Sequence, residues 1–288
     1  MGRKTIKSLT LPAPAKINWF LHIIGRRIDG YHELQTGFQF LDYSDQLHFT
    51  PCTGDDIEVI FPGNLATSDN LIWKAAMALK PFAKTATGIR IECDKKIPLG
   101  SGLGGGSSNA ATTLIALNAL WKANRTEAEL MAIGVRLGAD VPIFIFGKSA
   151  IGQGIGEKLT PYYKAESPCL MVIPPVSIAS ALLYQDKDLT RNTKPLQLHQ
   201  FAECSLKNDF EPVVRARFPE VAFAFAKLAP YGQPKLSGSG SALFLECSTL
   251  AKAHELLAQL RPSLNGFATM QRNISPLVEA AQQCDVWF

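Results

Sequence analysis

The stretch from Lys95 to Trp121 is KKIPLGSGLGGGSSNAATTLIALNALW, and five of the seven residues from Gly100 to Gly106 are glycine. Glycine lets backbone N–H groups approach another group closely, because no Cβ stands in the way. The first amides of the helix that follows have no partners within the helix and lie at the positive end of its dipole. The pattern therefore favours a loop that binds the phosphate groups of a nucleotide.

Other glycine loops fit this stretch less well. The Walker pattern is absent, since no Gly-Lys-Ser/Thr follows. G-x-G-x-x-G occurs at Gly100, Gly102 and Gly105, but no second strand ends in an acidic residue at the distance expected of a Rossmann fold. A glycine turn without a ligand remains an alternative. The second glycine cluster, GQGIG at 152–156, is better explained as a hairpin or bulge.

The elements around the loop are mixed. Thr126 and Glu129 form a predicted capping box at the start of a helix that Gly138 closes, and Ser68 or Asp69 is the predicted cap of an earlier helix. Because strands come in groups and do not alternate strictly with helices, the order favours an α+β fold. Strands are predicted at 15–24, 34–41, 46–50, 56–61, 88–93, 169–173 and 241–246, and helices at 68–83, 107–121, 127–137, 219–229 and 249–260.

Composition excludes several classes of protein. The 288 residues include 29 basic and 25 acidic ones, a balance that argues against a nucleic-acid surface. The six cysteines and five histidines show no metal-ligand spacing. No long apolar run or signal-peptide core is present, which predicts a cytoplasmic protein without a membrane partner.

Four motifs, in this order, resemble those of the GHMP kinases, a family of small-molecule kinases, and together they cover nearly the whole chain. They are PAKINWFLHIIGRRIDGYHELQT (14–36), PLGSGLGGGSSNAA (98–111), LGADVPIFIFG (137–147) and LSGSGSALF (236–244). The resemblance implies the α+β GHMP kinase fold. It further implies an ATP-binding, ribosomal-S5-like N-terminal domain at 1–160 and a ferredoxin-like C-terminal domain at 161–288 on the substrate side.

The same resemblance implies the catalytic residues. Asp140 corresponds to the acidic residue that accepts the proton of the substrate hydroxyl, and Lys16 to the lysine beside it. Phosphoryl transfer to an alcohol needs a positioned hydroxyl, a place for its proton and neutralisation of charge, which this pair would supply.

The implied substrate is an alcohol of isoprenoid precursor synthesis that carries a cytidine diphosphate group. Tyr31 and His32 match residues that hold the cytosine ring, one by stacking and one by hydrogen bonding. Tyr184 stands where a second aromatic ring, usually phenylalanine, completes the sandwich. Asn18 is expected near the reacting hydroxyl and Ser180 beside the substrate.

The nucleotide residues implied by the resemblance border adenine or surround the phosphates. ATP and Mg²⁺ are the expected cofactors, with no second metal-binding carboxylate evident, and the protein is expected to be a monomer or a homodimer. The alternatives are a mevalonate or homoserine kinase of the same family, and a non-catalytic nucleotide- or RNA-binding protein. The expected ATP-binding residues are Asn70, Lys95, Pro98, Leu99, Gly100, Ser101, Gly102, Leu103, Gly104, Gly105, Gly106, Ser107, Ser108, Ser237, Gly238, Ser239 and Gly240.

Overall fold

The computed structural model describes residues 8–63, 65–202, 204 and 206–287. Its strands and helices confirm the α+β prediction. The strands are β1 (Leu9–Arg26), β2 (His32–Pro51), β3 (Ile57–Ile60), β4 (Ile89–Asp94), β5 (Ala150–Gly154), β6 (Lys158–Pro161), β7 (Pro168–Val172), β8 (Lys235–Leu236), β9 (Leu243–Glu246) and β10 (Gly266–Arg272). The α-helices are α1 (Leu71–Leu79), α2 (Gly105–Leu120), α3 (Glu127–Leu137), α4 (Val141–Phe146), α5 (Ser180–Gln185), α6 (Glu211–Arg217), α7 (Pro219–Leu228), α8 (Leu250–Leu260) and α9 (Pro276–Gln283).

Strand β2 is the centre of the sheet. It pairs antiparallel with β1 along most of its length, and further with β4, β5 and β10. The sequence predicted two strands here, at 34–41 and 46–50, and the residues between them, DYSD at 42–45, have the composition of a turn. The structure corrects this to one continuous strand of 20 residues. As a result, one strand connects the N-terminal part of the sheet with β10, β7, β9 and β8.

Local sequence signals account for several helix ends. The Thr126–Glu129 capping box is present at α3, and Gly138 is its C-cap, as predicted. The cap of α1 is Asn70, whose Oδ1 accepts from the N–H of Ile72, and not Ser68 or Asp69, which lie in a 3₁₀ turn. Helix α2 begins at Gly105, two residues before the predicted start. The GQGIG cluster lies in the β5–β6 hairpin, as expected.

Three buried apolar clusters hold the elements together. The first packs α1 to α4 and α9 on β1, β2 and β4, and the second packs α6, α7 and α8 on β7 and β9. The third cluster, which includes Ile17, Leu103 and Phe244, joins residues from both parts of the chain. Trp19 belongs to this third cluster and stacks on Tyr162.

The expected division at residue 160 stays a prediction. Helix α9 follows that position, yet its Leu277 and Ala281 pack into the first cluster with the N-terminal helices. Within the described ranges, no helix combines the length and the apolar character that crossing a membrane requires.

Candidate active site

The ammonium group of Lys16 is a buried charge at the centre of the site. Lys16 lies on β1 and is 3 % exposed. Its Nζ lies 3.2 Å from Oδ2 of Asp140, donates to the carbonyl of Gly102 at 3.0 Å and donates to Oδ1 of Asn18 at 2.5 Å. A buried ammonium needs such partners, because leaving it without them would carry a large desolvation cost. The three oxygens therefore fix the position of this cation.

Asn18 links Lys16 to the strand behind it. Its Nδ2 donates to Oγ1 of Thr36 at 2.8 Å, and Thr36 in turn donates to the carbonyl of Phe20 at 2.6 Å. Both ends of the Asn18 amide are thus occupied within the protein. Asn18 still lines the cleft, as expected of a residue near the reacting hydroxyl. Thr36 was not predicted, because a buried threonine on a strand gives no sign of such a role in the sequence.

Asp140 is placed by a sharp change of direction between α3 and α4. The N–H of Val141 donates to the carbonyl of Gly138, and Pro142 lies in the first turn of α4. The carboxylate is 34 % exposed, in contrast to the buried ammonium that it contacts. One side of Asp140 therefore meets Lys16 while the group stays open to the cleft.

The glycine loop wraps around the end of Lys16. Gly100, Gly102 and Gly104 have left-handed backbone conformations, and Gly104 is the N-cap of α2. A Cβ on Gly104 would lie 2.9 Å from the ring of Phe144 and 3.0 Å from Cε of Lys16. Only glycine fits this position, because both the backbone angle and the space exclude a side chain. The N-terminal amides of α2 consequently come close to the cation and to the cleft.

A second tight turn, residues 237–240, packs against the glycine loop. The N–H of Gly240 donates to the carbonyl of Ser237 at 2.9 Å. A Cβ on Gly102 would lie 2.5 Å from that same Ser237 carbonyl oxygen, so the two loops are in close backbone contact. The N–H of Asn18 donates to Oγ of Ser237, which ties this turn to β1 as well.

A buried carboxylate anchors the start of the glycine loop. Asp45 is fully buried on β2 and accepts from Nζ of Lys95 at 2.6 Å and from the N–H groups of Lys96 and Ile97. It also accepts from Nδ2 of Asn109 on α2 at 2.9 Å. Lys95 lines the cleft, but its charge is already paired with Asp45. The sequence did not point to Asp45, because DYSD resembles a turn.

Two of the residues expected at the cytosine ring, His32 and Tyr184, contact each other. The ring of His32 stacks directly on Tyr184, with centroids 4.6 Å apart and planes at 18°. Tyr31, expected to share the stacking role, is 61 % exposed and lies in a turn where its N–H donates to Asp29. His32 therefore covers one face of Tyr184, and the expected roles of Tyr31, His32 and Tyr184 at the cytosine ring stay predictions.

Burial sets the protonation of this pair. Burial lowers the pKa of His32 below its usual value of 6.5, with Arg191 and Arg26 adding to the effect. Its Nε2 is buried and has no hydrogen-bond partner among the described residues. Burial also raises the pKa of Tyr184, helped by the negative charge of Asp140. His32 is therefore neutral at pH 7. Tyr184 keeps its proton at pH 7, and the negative charge of Asp140 is close enough to contribute to this.

One cleft of about 480 Å³ is lined by the Lys16–Asp140 pair, by Tyr184 and by residues of both glycine-containing turns. Ser180 approaches from the C-terminal part, and its Oγ lies 2.6 Å from Oγ of Ser239. Among the predicted residues, the cleft is lined by Lys16, Asn18, Lys95, Pro98, Leu99, Gly100, Ser101, Gly102, Leu103, Gly104, Gly105, Gly106, Ser107, Asp140, Ser180, Tyr184, Gly238 and Ser239. Leu71, Ile155 and Phe210 line it too, and nothing in the sequence had singled them out.

Six predicted residues are not in the described lining of the cleft: Tyr31, His32, Asn70, Ser108, Ser237 and Gly240. Asn70 is 4 % exposed and caps α1, and its role beside adenine stays a prediction. Ser108 is fully buried, and its Oγ has no hydrogen-bond partner within the described ranges. The neighbouring Ser107 does line the cleft, and its Oγ lies beside Gly138.

Comparison with known proteins agrees with this geometry. Residues 70–148 match the GHMP kinases N terminal domain, and residues 185–266 match the GHMP kinases C terminal domain. The chain is 44 % identical to 4-diphosphocytidyl-2-C-methyl-D-erythritol kinase of Shewanella halifaxensis, over 96 % of this chain and 98 % of that protein. It is 45 % identical to the enzyme of the same name from Pseudomonas fluorescens, over 95 % and 97 % of the two chains.

Solved structures show the same fold. A crystal structure of 4-(cytidine 5'-diphospho)-2C-methyl-D-erythritol kinase superposes with a TM-score of 0.79 at 32 % identity, covering 92 % of this chain and 99 % of that one. A mevalonate kinase superposes with a TM-score of 0.66 at 16 % identity, over 92 % and 99 %, a likeness that concerns the fold alone. The matches to both domains and the full-length identity show that this chain belongs to the GHMP kinases.

Proposed function

We propose that this kinase transfers the γ-phosphoryl group of ATP to the 2-hydroxyl of 4-diphosphocytidyl-2-C-methyl-D-erythritol, in the non-mevalonate isoprenoid precursor pathway. The observation that carries the proposal is the Lys16–Asp140 ion pair, which lies in the same cleft as the glycine loop and the ring of Tyr184. The names of the full-length relatives support this substrate.

In the proposed reaction, Asp140 receives the proton of the attacking hydroxyl. Its exposed carboxylate is open to the cleft, so an alcohol can approach it without displacing Lys16. The Lys16 ammonium lies beside the attacking oxygen and stabilises the negative charge that develops there. The backbone amides at the start of α2 bind phosphate oxygens, since they are unpaired and lie at the positive end of the helix.

Substrate choice in this proposal rests on the His32–Tyr184 stack. If cytosine uncovers the buried Nε2 of His32, a neutral ring could donate or accept at the edge of the base, whereas a protonated one could only donate. Mevalonate and homoserine have no such ring. The base is proposed to bind beside this stack, with Tyr31 closing over it from the exposed turn.

Mg²⁺ would be held mainly by the phosphates of ATP, where it neutralises charge during transfer. No group of three His, Cys, Asp or Glu side chains that could hold a metal ion occurs among the described residues. Mg²⁺ commonly keeps its waters and uses one or two protein ligands together with substrate phosphates. Ser107 and Asp140 are the residues that would contact it, because both line the cleft and Ser107 Oγ lies beside Gly138.

A coupled ADP-release assay tests the proposal. The purified protein is given ATP and Mg²⁺ with the cytidyl methylerythritol substrate, mevalonate or homoserine in separate reactions. We expect ADP formation above background only with the cytidine compound. Equal turnover of mevalonate or homoserine would overturn the substrate, and no ADP with any of the three would favour a role in binding alone.

A further inference from the structure

Residues 207–209 form a short bridge beside β1, just beyond Asn18. The N–H of Leu21 donates to the carbonyl of Lys207 at 3.1 Å, and the N–H of Asp209 donates to the carbonyl of Leu21 at 2.8 Å. Oδ2 of Asp209 accepts from the N–H of Ile23 at 2.8 Å. These bonds fix the backbone on both sides of Asn208 to the strand that carries Lys16 and Asn18.

The side chain of Asn208 extends from this bridge to the turn at 237–240. Its Nδ2 donates to the carbonyls of Leu236 at 3.0 Å and Gly238 at 2.8 Å, and its Oδ1 accepts from the N–H of Phe210 at 3.0 Å. The orientation of the amide is determined, because Oδ1 must face an N–H while Nδ2 must face two carbonyls. Asn208 is 5 % exposed, so water does not replace these bonds easily.

The bond to Gly238 controls the direction of the next amide. The C=O of Gly238 and the N–H of Ser239 belong to one planar trans peptide, in which the two groups point in opposite directions. Because the Gly238 carbonyl faces Asn208, the Ser239 N–H faces away from it. Gly238 and Ser239 line the cleft, whereas Asn208 lies behind them, outside its described lining.

We propose that Asn208 is a positioning residue for phosphoryl transfer, which aims the N–H of Ser239 at the phosphate that is transferred. The inference rests on the proposed function for the reaction itself but needs no particular acceptor alcohol. Asn208 touches neither substrate. It holds the 237–240 turn at a fixed distance from Lys16 and Asn18, so that the amide opposes the start of α2 across the phosphate.

The test is Asn208→Asp, which keeps the shape and the acceptor for Phe210 but places carboxylate oxygens against two carbonyls. We expect the turnover number to fall at least about tenfold, since a fixed donor to developing charge is lost. The KM values should change less than about threefold, because an interaction made mainly in the transition state affects turnover more than binding.

The matched control is Asn118→Asp at the far end of α2. There Nδ2 donates to the carbonyl of Arg125 and Oδ1 accepts from its N–H, a similar pattern away from the cleft. This variant should lose thermal stability without losing turnover. If Asn208→Asp does not fold, Asn208→Ser, which keeps one donor, takes its place in the same measurements.

A second measurement distinguishes a change in the orientation of the Ser239 N–H from a general loss of protein stability. The amide proton of Ser239 is followed by NMR as a non-hydrolysable ATP analogue with Mg²⁺ is added. We expect a downfield shift in the wild type and its loss in Asn208→Asp at saturating analogue. If Asn208→Asp showed the same Ser239 amide shift as the wild type, or the same turnover number, the inference would be overturned. A wild type that makes no ADP would instead overturn the proposed function.

Discussion

Lys16 and Asp140 are in contact but differ in their surroundings. The ammonium is enclosed by three oxygens before any substrate arrives, while the carboxylate keeps about a third of its surface exposed. A group held so firmly does not need to reorganise during the reaction, which is how fixed charges lower a barrier. The exposed group of the pair is the one that can meet an incoming hydroxyl.

Asp140→Asn tests whether Asp140 acts in the phosphoryl-transfer step or in substrate binding. Asparagine keeps the shape but cannot accept the proton, so the turnover number should fall about 10²-fold or more. The dissociation constants of both substrates should change less than about tenfold, or about 1.4 kcal/mol. Steady-state kinetics and calorimetry measure the two effects.

The control for this variant is Asp94→Asn, which removes an exposed carboxylate that pairs with His48 and lies outside the described lining of the cleft, and it should leave turnover unchanged. A residual rate above about a tenth of wild type in Asp140→Asn would contradict the role as base, because general-base loss is larger than that. A large rise in the dissociation constant of the alcohol would make Asp140 a binding residue.

Among the elements, the junction of the glycine loop and α2 sets strict steric limits on which residues can stand beside Lys16. Gly104 has a φ of +73°, and a Cβ there would collide with Phe144 and Lys16, whereas Gly106 lies in the first turn of the helix. A Cβ on Gly106 would meet only Leu71, at 3.4 Å, which is ordinary contact. A side chain is thus excluded at Gly104 but has room at Gly106.

Alanine at each position tests this difference. Gly104→Ala forces an unfavourable backbone conformation costing about 1–2 kcal/mol and crowds Lys16, so it should lower the melting temperature and the turnover number. Gly106→Ala should keep or raise the melting temperature, because alanine favours a helix over glycine by about 1 kcal/mol. Calorimetric melting and ATP kinetics on both variants check this. Equal losses of stability would contradict it.

The sequence predicted the individual helices, strands and motifs better than the contacts between distant segments. The α+β class, the α3 capping box and the partners Lys16 and Asp140 followed from motifs, because each depends on local sequence or on an ordered pattern. The continuity of β2 did not, since DYSD has turn composition and only pairing with β1 and β4 extends it. Asp45, Asn208 and the His32–Tyr184 stack depend on contacts between distant segments, which no local pattern encodes.

For the whole molecule, burial of His22 makes stability depend on pH. His22 is 3 % exposed, and neither ring nitrogen has a hydrogen-bond partner among the described residues. Burial lowers its pKa below 6.5, an effect that Asp209 opposes and Lys207 reinforces. The unfolded chain therefore takes up a proton at a higher pH than the folded chain does. Stability is complete above the unfolded pKa and is lost as pH falls towards the folded one.

His22→Leu should reduce this acid sensitivity. Between pH 7 and about pH 5.5, the urea midpoint of the wild type should fall more than that of the variant, because only the wild type has this histidine to protonate. His254→Gln, an exposed change on α8, is the control and should follow the wild type. Parallel curves for wild type and His22→Leu would contradict the prediction.

The position of α9 has a consequence for how the protein folds during synthesis. Leu277 and Ala281 complete the first apolar cluster, which otherwise consists of residues before 151. A growing chain cannot close that cluster until these residues have left the ribosome, although most of its partners were made long before. The N-terminal helices and strands of that cluster therefore wait with apolar surface uncovered, a state that favours aggregation and chaperone binding. Loss of the last helix would leave the nascent enzyme in that condition permanently.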